Sequence, residues 1–308
     1  MNNKIHVDFC DVNRFILKDN DGYNISQLVY YFSFFFPNGY KRENRTKVVS
    51  VCEEYWKLCG KSLKWMTHPR SHRWKKISSD YNLQNWLSAY PEGDYAWQMV
   101  FHSGQVKYES PQYCIDGLGN STVTHNTSHL YLCVPVTWFF EHSEQHPITL
   151  YLRWAEILNA RHGSSGIGVF PAYDMQKRGQ AYGITQALSR YFPGIEICDS
   201  LQSVSAGMGV LSPNWLNLLD NNYVDKLGGY ENLLKNIQGT NAQIYKYNGG
   251  VMISASEYPQ LCESGEALTI PEDYRVVSQI LKPIRSRYLF GFWGVNTERS
   301  LEWRGRMD

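Results

Sequence analysis

This 308-residue chain lacks every linear signature of a common reaction centre. It has no GxSxG elbow, no GxGxxG or GxxxxGK[ST] phosphate loop and no HExxH pair. That removes the usual marks of serine hydrolases, dinucleotide enzymes, P-loop NTPases and zincins. Long apolar runs are missing too: the longest, 28–36 (LVYYFSFFF), is stopped by Pro37. It is far short of the ~20 residues a membrane helix needs, and reads as a buried strand. Neither sign of charge is in excess, since 30 Lys and Arg face 29 Asp and Glu for a net +1. The whole chain therefore attracts neither polyanions nor anionic membranes. Its seven cysteines (Cys10, Cys52, Cys59, Cys114, Cys133, Cys198, Cys262) are odd in number and scattered, with no CxxC. No disulfide framework or zinc site follows, and reduced, mostly buried thiols are expected. The opening MNNKIHVDFCDVN has no apolar signal-peptide core, so a soluble, cytoplasmic protein is expected.

Aromatics are plentiful at 15% of residues, with 22 Tyr and 10 Trp. Such residues build large cores or dominate contact surfaces, and core use is the default. Segments 15–18 and 25–36 read as a hairpin closed by Asp19-Asn20-Asp21-Gly22. A helix is expected over 44–59, from the stripe Val48, Val51/Cys52, Tyr55, Leu58/Cys59, with Gly60 at its C′ position. Strands follow near 95–101 and 112–115. The Gly-, Asn-, Ser- and Thr-rich stretch 117–128 reads as a linker, followed by an apolar strand over 130–140. Pro147 should open a helix running to Gly163, with a short strand at 166–170 beyond it. Further helices are expected over 174–192, from Ser212-Pro213 to Gly228-Gly229, and from Pro271 to Pro283. Between the last two lies a hairpin, 243–247 and 251–254, turning at Asn248-Gly249.

Hairpins together with helix–strand alternation give an α+β fold: a largely antiparallel mixed sheet with helices packed on it. The second part echoes the first, which leaves two similar halves, 1–125 and 126–308, open within one extended domain over 1–308.

Five stretches carry a resemblance: TLYLRWAEILNARHGSSGIGV (149–169), ALSRYFPGIEI (187–197), PNWLNLLDNNYVDKLGG (213–229), YKYNGGVMISASEYPQL (245–261) and VSQILKPIR (277–285). Together they resemble the type VI immunity family of the TsiV type, strongest over 149–285 and weakest before about residue 125. The resemblance implies a non-enzymatic immunity protein that binds a VRR-Nuc nuclease effector of the type VI secretion system, one to one. It implies no catalytic residue, metal or cofactor.

Glu141-His142-Ser143-Glu144-Gln145-His146 offers two histidines at i, i+4 with carboxylates between them. Pro147 follows at once, so the segment approaches a helix instead of lying within one, and reads as an exposed polar loop. His125 and His129 share that spacing inside a loop-like composition and carry no site. Gly166-Ile167-Gly168 and Gly207-Met208-Gly209 read as tight backbone approaches.

Two charge patterns remain. Between 57 and 76, Lys57, Lys61, Lys64, Arg70, Arg73, Lys75 and Lys76 mix with Trp65, His68, His72 and Trp74 without an acid. Cations interleaved with aromatics suit nucleic acid, which makes a nucleic-acid-binding module the alternative reading. From 247 to 274 there is no Lys or Arg, but there are Glu257, Glu263, Glu266, Glu272 and Asp273. Those five are the candidate partner-binding residues, a surface complementary to a basic nuclease cleft. Glu263 and Glu266 are the foremost, since Glu272 and Asp273 also suit the first turn of a helix.

Overall fold

The computed structural model describes residues 15–308 apart from 60, 91–92, 121–126, 143, 190, 200–202, 262–269 and 288–296. β1 (Leu17–Lys18) and β2 (Asn24–Pro37) form the expected hairpin, with Gly22 at φ +84° in its turn. Next come α1 (Arg42–Cys59), β3 (Trp65–Thr67), β4 (Trp74–Lys76), α2 (Leu83–Ser88), β5 (Trp97–His102), β6 (Cys114–Gly119) and β7 (Thr127–Pro135). They are followed by α3 (Trp138–Glu141), α4 (Pro147–Leu158), β8 (His162–Pro171), α5 (Met175–Ser189), β9 (Glu196–Ile197) and α6 (Ser203–Ala206). The chain continues through β10 (Leu216–Asp220), α7 (Asn221–Lys226), α8 (Tyr230–Asn236), β11 (Gln243–Tyr247), β12 (Gly250–Ser254), α9 (Glu272–Leu281) and α10 (Thr297–Arg304).

The strands form one 12-stranded sheet in the order β11-β12-β10-β8-β2-β7-β6-β5-β3-β4, with β1 beside β2 and β9 beside β8. Every pairing is antiparallel except β8–β9. The fold is thus the α+β arrangement expected. β2, from the first part of the chain, lies between β7 and β8 of the second.

This central place explains the run 28–36. Tyr30, Phe32, Phe34 and Phe36 point into a large core with α1, α4 and α9, where Val48, Tyr55, Trp154, Ala155 and Val277 meet them. Val29, Tyr31 and Phe35 point the other way, against Tyr131, Cys133, Phe170 and Cys198. A strand buried on both faces loses its apolar–polar alternation. The one polar residue, Ser33, is hydrogen-bonded: its hydroxyl donates to the Ser164 carbonyl at 2.9 Å and accepts from the Ser164 amide at 3.0 Å. Most aromatics serve this core; Trp86, Trp138, Trp154 and Trp215 are all fully buried. The five cysteines among the described residues are free and buried, and Cys133 and Cys114 stand opposite each other across β6–β7 with Sγ atoms 3.0 Å apart.

Several sequence expectations change. The strand expected over 130–140 runs instead from Thr127 to Pro135, and Trp138–Glu141 is helical. The stretch 117–128 is not simply a linker, because β6 runs to Gly119 and β7 starts at Thr127. Gly117 and Gly119 are there to let the Trp97 indole cross the strand: a Cβ on Gly119 would lie 2.0 Å from the indole nitrogen. That nitrogen donates to the Gly39 carbonyl at 2.7 Å. The helix from Pro147 ends at Leu158, capped by Asn159 in the left-handed region, and Gly163 belongs to β8. The helix expected from Ser212-Pro213 is a loop and then β10, and only 221–226 is helical. β10 is held between β8 and β12, and Asp220 then caps α7 through the Tyr223 amide at 2.9 Å.

Gly163 gives a direct test of this packing. A Cβ there would sit 2.1 Å from the Ser33 carbonyl oxygen and 2.6 Å from the Tyr151 hydroxyl. Backbone cannot swing aside as a side-chain tip can, so Gly163→Ala should cost about 2–3 kcal/mol. Equilibrium urea unfolding measures it, and a loss under about 0.5 kcal/mol would mean that β2 and β8 are not this close.

Candidate partner-binding face

The sheet ends at β11, and beyond it the chain assembles an acidic cleft from three separate segments. β11 and β12 join through Asn248-Gly249, which brings 255–260 back beside Gln243. Internal hydrogen bonds fix that return. The Trp215 indole donates to the Ser256 carbonyl at 2.7 Å, the Ser256 hydroxyl donates to the Tyr258 carbonyl at 2.5 Å, and the Gln260 amide donates to the Tyr274 hydroxyl at 3.0 Å. At the start of α9, Asp273 accepts from the Asn241 amide at 2.9 Å and from its side-chain nitrogen at 3.0 Å. These segments enclose a cleft of about 530 Å³, lined by Thr240, Asn241, Gln243, Ser256, Glu257, Tyr258, Gln260 and Asp273. Its two charged lining groups are both carboxylates.

The sequence candidates fall into three groups here. Glu257 and Asp273 line the cleft. Glu257 is exposed, whereas Asp273 is half-buried and its carboxylate already binds Asn241. Glu272 is exposed in the first turn of α9, where its charge also suits the helix end. Glu263 and Glu266 lie outside the described residues. Asn241, Gln243 and Gln260, which shape the cleft, were missed; uncharged polar residues without a motif give no signal.

The opposite end of the sheet carries the basic segment. Lys57, Lys61, Lys64, Arg70, Arg73, Lys75 and Lys76 are all exposed around β3 and β4. The two tryptophans part company: Trp65 lines a surface cleft, while Trp74 turns inward, 5.0 Å from His102 and 5.3 Å from Tyr173.

Of the two histidine pairs, His125 lies outside the described residues, and the other three histidines are apart from any cluster of ligands. His142 stacks on Trp138 at 4.4 Å and its Nδ1 meets the Trp138 carbonyl at 2.9 Å, whereas Glu141, Glu144 and His146 are exposed. His129 is not in a loop but in β7, buried, with Nε2 3.8 Å from Asp116. Among the described residues no group of three His, Cys, Asp or Glu could hold a metal ion. Nor, among them, is any helix long and apolar enough to cross a membrane.

Two buried histidines and the half-buried Glu196 set a pH dependence. Burial holds His102 and His162 down at about 4, against an ordinary value near 6.5. Unfolded, both take up protons below about 6.5; folded, they stay neutral to about 4, so their contribution falls as pH drops through that window. Burial also raises Glu196 to about 7, against the pull of Arg306 at 3.4 Å. The fold then binds one extra proton from about 4.5 to 7, and this contribution falls as pH rises. Two protons against one leaves stability falling by about 1.4 kcal/mol per unit as pH drops from 6.5 to 4.5. His162→Gln should level that stretch of the curve. Urea unfolding at pH 4.5, 5.5 and 6.5 decides it, and a flat profile for the unaltered protein would contradict the assignment.

Similarity to known proteins agrees with this architecture. A solved structure, the Pseudomonas aeruginosa T6SS protein PA0821, superposes with TM-score 0.83 at 18% identity, over 98% of this chain and 90% of that one. At that identity the likeness shows a common fold. No curated protein matches closely enough to count as a relative. The sequence profile of the TsiV family, described as type VI immunity for VRR-NUC, matches residues 47–305. The match reaches well before residue 125, where the five stretches gave the least, and it takes in both ends of the sheet. The chain belongs to the TsiV family, type VI immunity for VRR-NUC.

Proposed function

We propose that the chain binds a cognate VRR-NUC nuclease effector directly, one to one, in the cytoplasm of the producing cell, and keeps it from cutting DNA there. The observation that carries this reading is the family match over 47–305. The role is stoichiometric: protection comes from occupancy, not turnover. Self-protection demands that nearly all toxin be bound at low concentration, so the affinity should be nanomolar or better, about 12 kcal/mol or more. That calls for an interface of about 1,600 Å² with a few strong anchors.

The acidic cleft beside β11 is the face we assign to this contact. A nuclease must draw a polyanion to its active site, so the surroundings of that site are positive. A surface carrying Glu257 and Asp273, with Glu272 exposed next to Asp273 in the chain and no base in the sequence from 247 to 274, complements it in sign. Internal hydrogen bonds brace 256–260, and bracing of this kind lowers the entropic cost of association. The test is co-expression with the effector, followed by purification. Cells should survive that effector and not an unrelated toxin, and the two proteins should co-elute. Absence of both rescue and co-elution would overturn the reading for that partner.

A further inference from the structure

Around β3 and β4, at the far end of the sheet from the acidic face, lies a second cleft of about 460 Å³. Its floor is apolar and aromatic, built from Trp56, Leu63, Trp65, Ile77 and Tyr81. Its rim carries Lys61, Lys64 and Lys76, and none of its lining residues is a carboxylate. The three lysines are exposed, and among the described residues no ion pair engages them. Lys76 Nζ stands 5.6 Å from the centre of the Trp65 ring, so cation and ring already form one surface.

The effector reading does not absorb this cleft. The strand order places β4 nine neighbours from β11, about 43 Å at ~4.8 Å per strand. A standard interface of about 800 Å² per partner is only about 30 Å across. A protein centred on the acidic face therefore leaves the basic cleft open. A small inorganic anion would need the lysines but not the rings, and an apolar ligand the rings but not the lysines. A nucleotide uses both, with a planar base and a phosphate on either side of it.

We propose that this cleft binds single-stranded nucleic acid over one or two nucleotides, with a base against Trp65 and Tyr81 and the flanking phosphates on Lys61, Lys64 and Lys76. The site is short because Trp74 is turned in against His102 and Tyr173, so the aromatics of 57–76 do not form a continuous track. Three phosphate contacts give a log–log salt slope of about −2 for a single strand. Losing the ring contact should weaken binding about tenfold.

The experiment is fluorescence anisotropy of a labelled twelve-residue oligothymidylate titrated with the full chain, from 20 to 200 mM salt. The expected result is saturable binding with that slope, weakened about tenfold by Trp65→Ala, kept by Trp65→Tyr, and lost in the Lys61→Glu/Lys64→Glu pair. The lysines are exposed, so the paired variant tests the site even if Trp65→Ala does not fold. No binding at 20 mM salt would overturn the proposal. So would binding indifferent to Trp65→Ala and displaced equally well by polyglutamate, which would mean unspecific attraction. Protection by the paired lysine variant in the co-expression assay should be unchanged. Its loss in a folded variant would put the effector on this cleft instead, and would overturn the assignment while leaving immunity intact.

Discussion

Replacing Glu257 and Glu272 with lysine is expected to slow association with the VRR-NUC effector about tenfold or more at low salt, while the fold stays intact. Both side chains are exposed, and the change moves four charge units within the base-free segment. Electrostatic steering raises association rates by about 10–10³-fold, and a reversed face converts attraction into repulsion. The effect should fade as salt rises, because the screening length shrinks from about 30 Å at 0.01 M to about 8 Å at 0.15 M. Lysine at 272 opposes the dipole of α9, a cost of at most about 1 kcal/mol. Asp273 is left alone, since its carboxylate joins Asn241 to the helix and its loss would disturb the cleft itself. Stopped-flow association at 20 mM salt reads the change. An unaltered rate would move the interface off this face.

Phe32→Ala is expected to cost about 3–5 kcal/mol of stability. Phe32 is 1% exposed at the middle of β2, between β7 and β8. Its ring lies 5.3 Å from Trp154, 5.8 Å from Tyr151 and 6.2 Å from Phe139, so one truncation removes contacts to both α3 and α4. Tyr151 and Trp154 are fully buried on a helix and cannot follow the void, so most of the cavity stays open. Equilibrium urea unfolding gives the loss. A value under about 1 kcal/mol would mean that β2 does not organise the core.

What could be read in the sequence was local. The two hairpins announced themselves through Asp19–Gly22 and Asn248-Gly249, because turn chemistry needs only neighbouring residues. The α1 stripe and the Pro147 start were legible for the same reason. β10 was not, since Ser212-Pro213 and Gly228-Gly229 look like the limits of one helix. What makes Leu216–Asp220 a strand is pairing with β8 and β12, each thirty residues away or more. Gly117 and Gly119 misled because glycine marks loops and also marks places where a large ring passes close to a strand. At the acidic face the carboxylates showed themselves by the missing bases around them. Asn241, Gln243 and Gln260 did not, because only the fold brings 240–243 and 256–260 together.

The central claim is that this chain neutralises a VRR-NUC nuclease by binding it, and a titration of nuclease activity tests that most directly. DNA cleavage by a fixed amount of the cognate effector would be followed as the purified chain is added. The account predicts a linear fall to no detectable cleavage at one equivalent, with a nanomolar or tighter inhibition constant. Cleavage that persists at tenfold molar excess of the folded chain would contradict it.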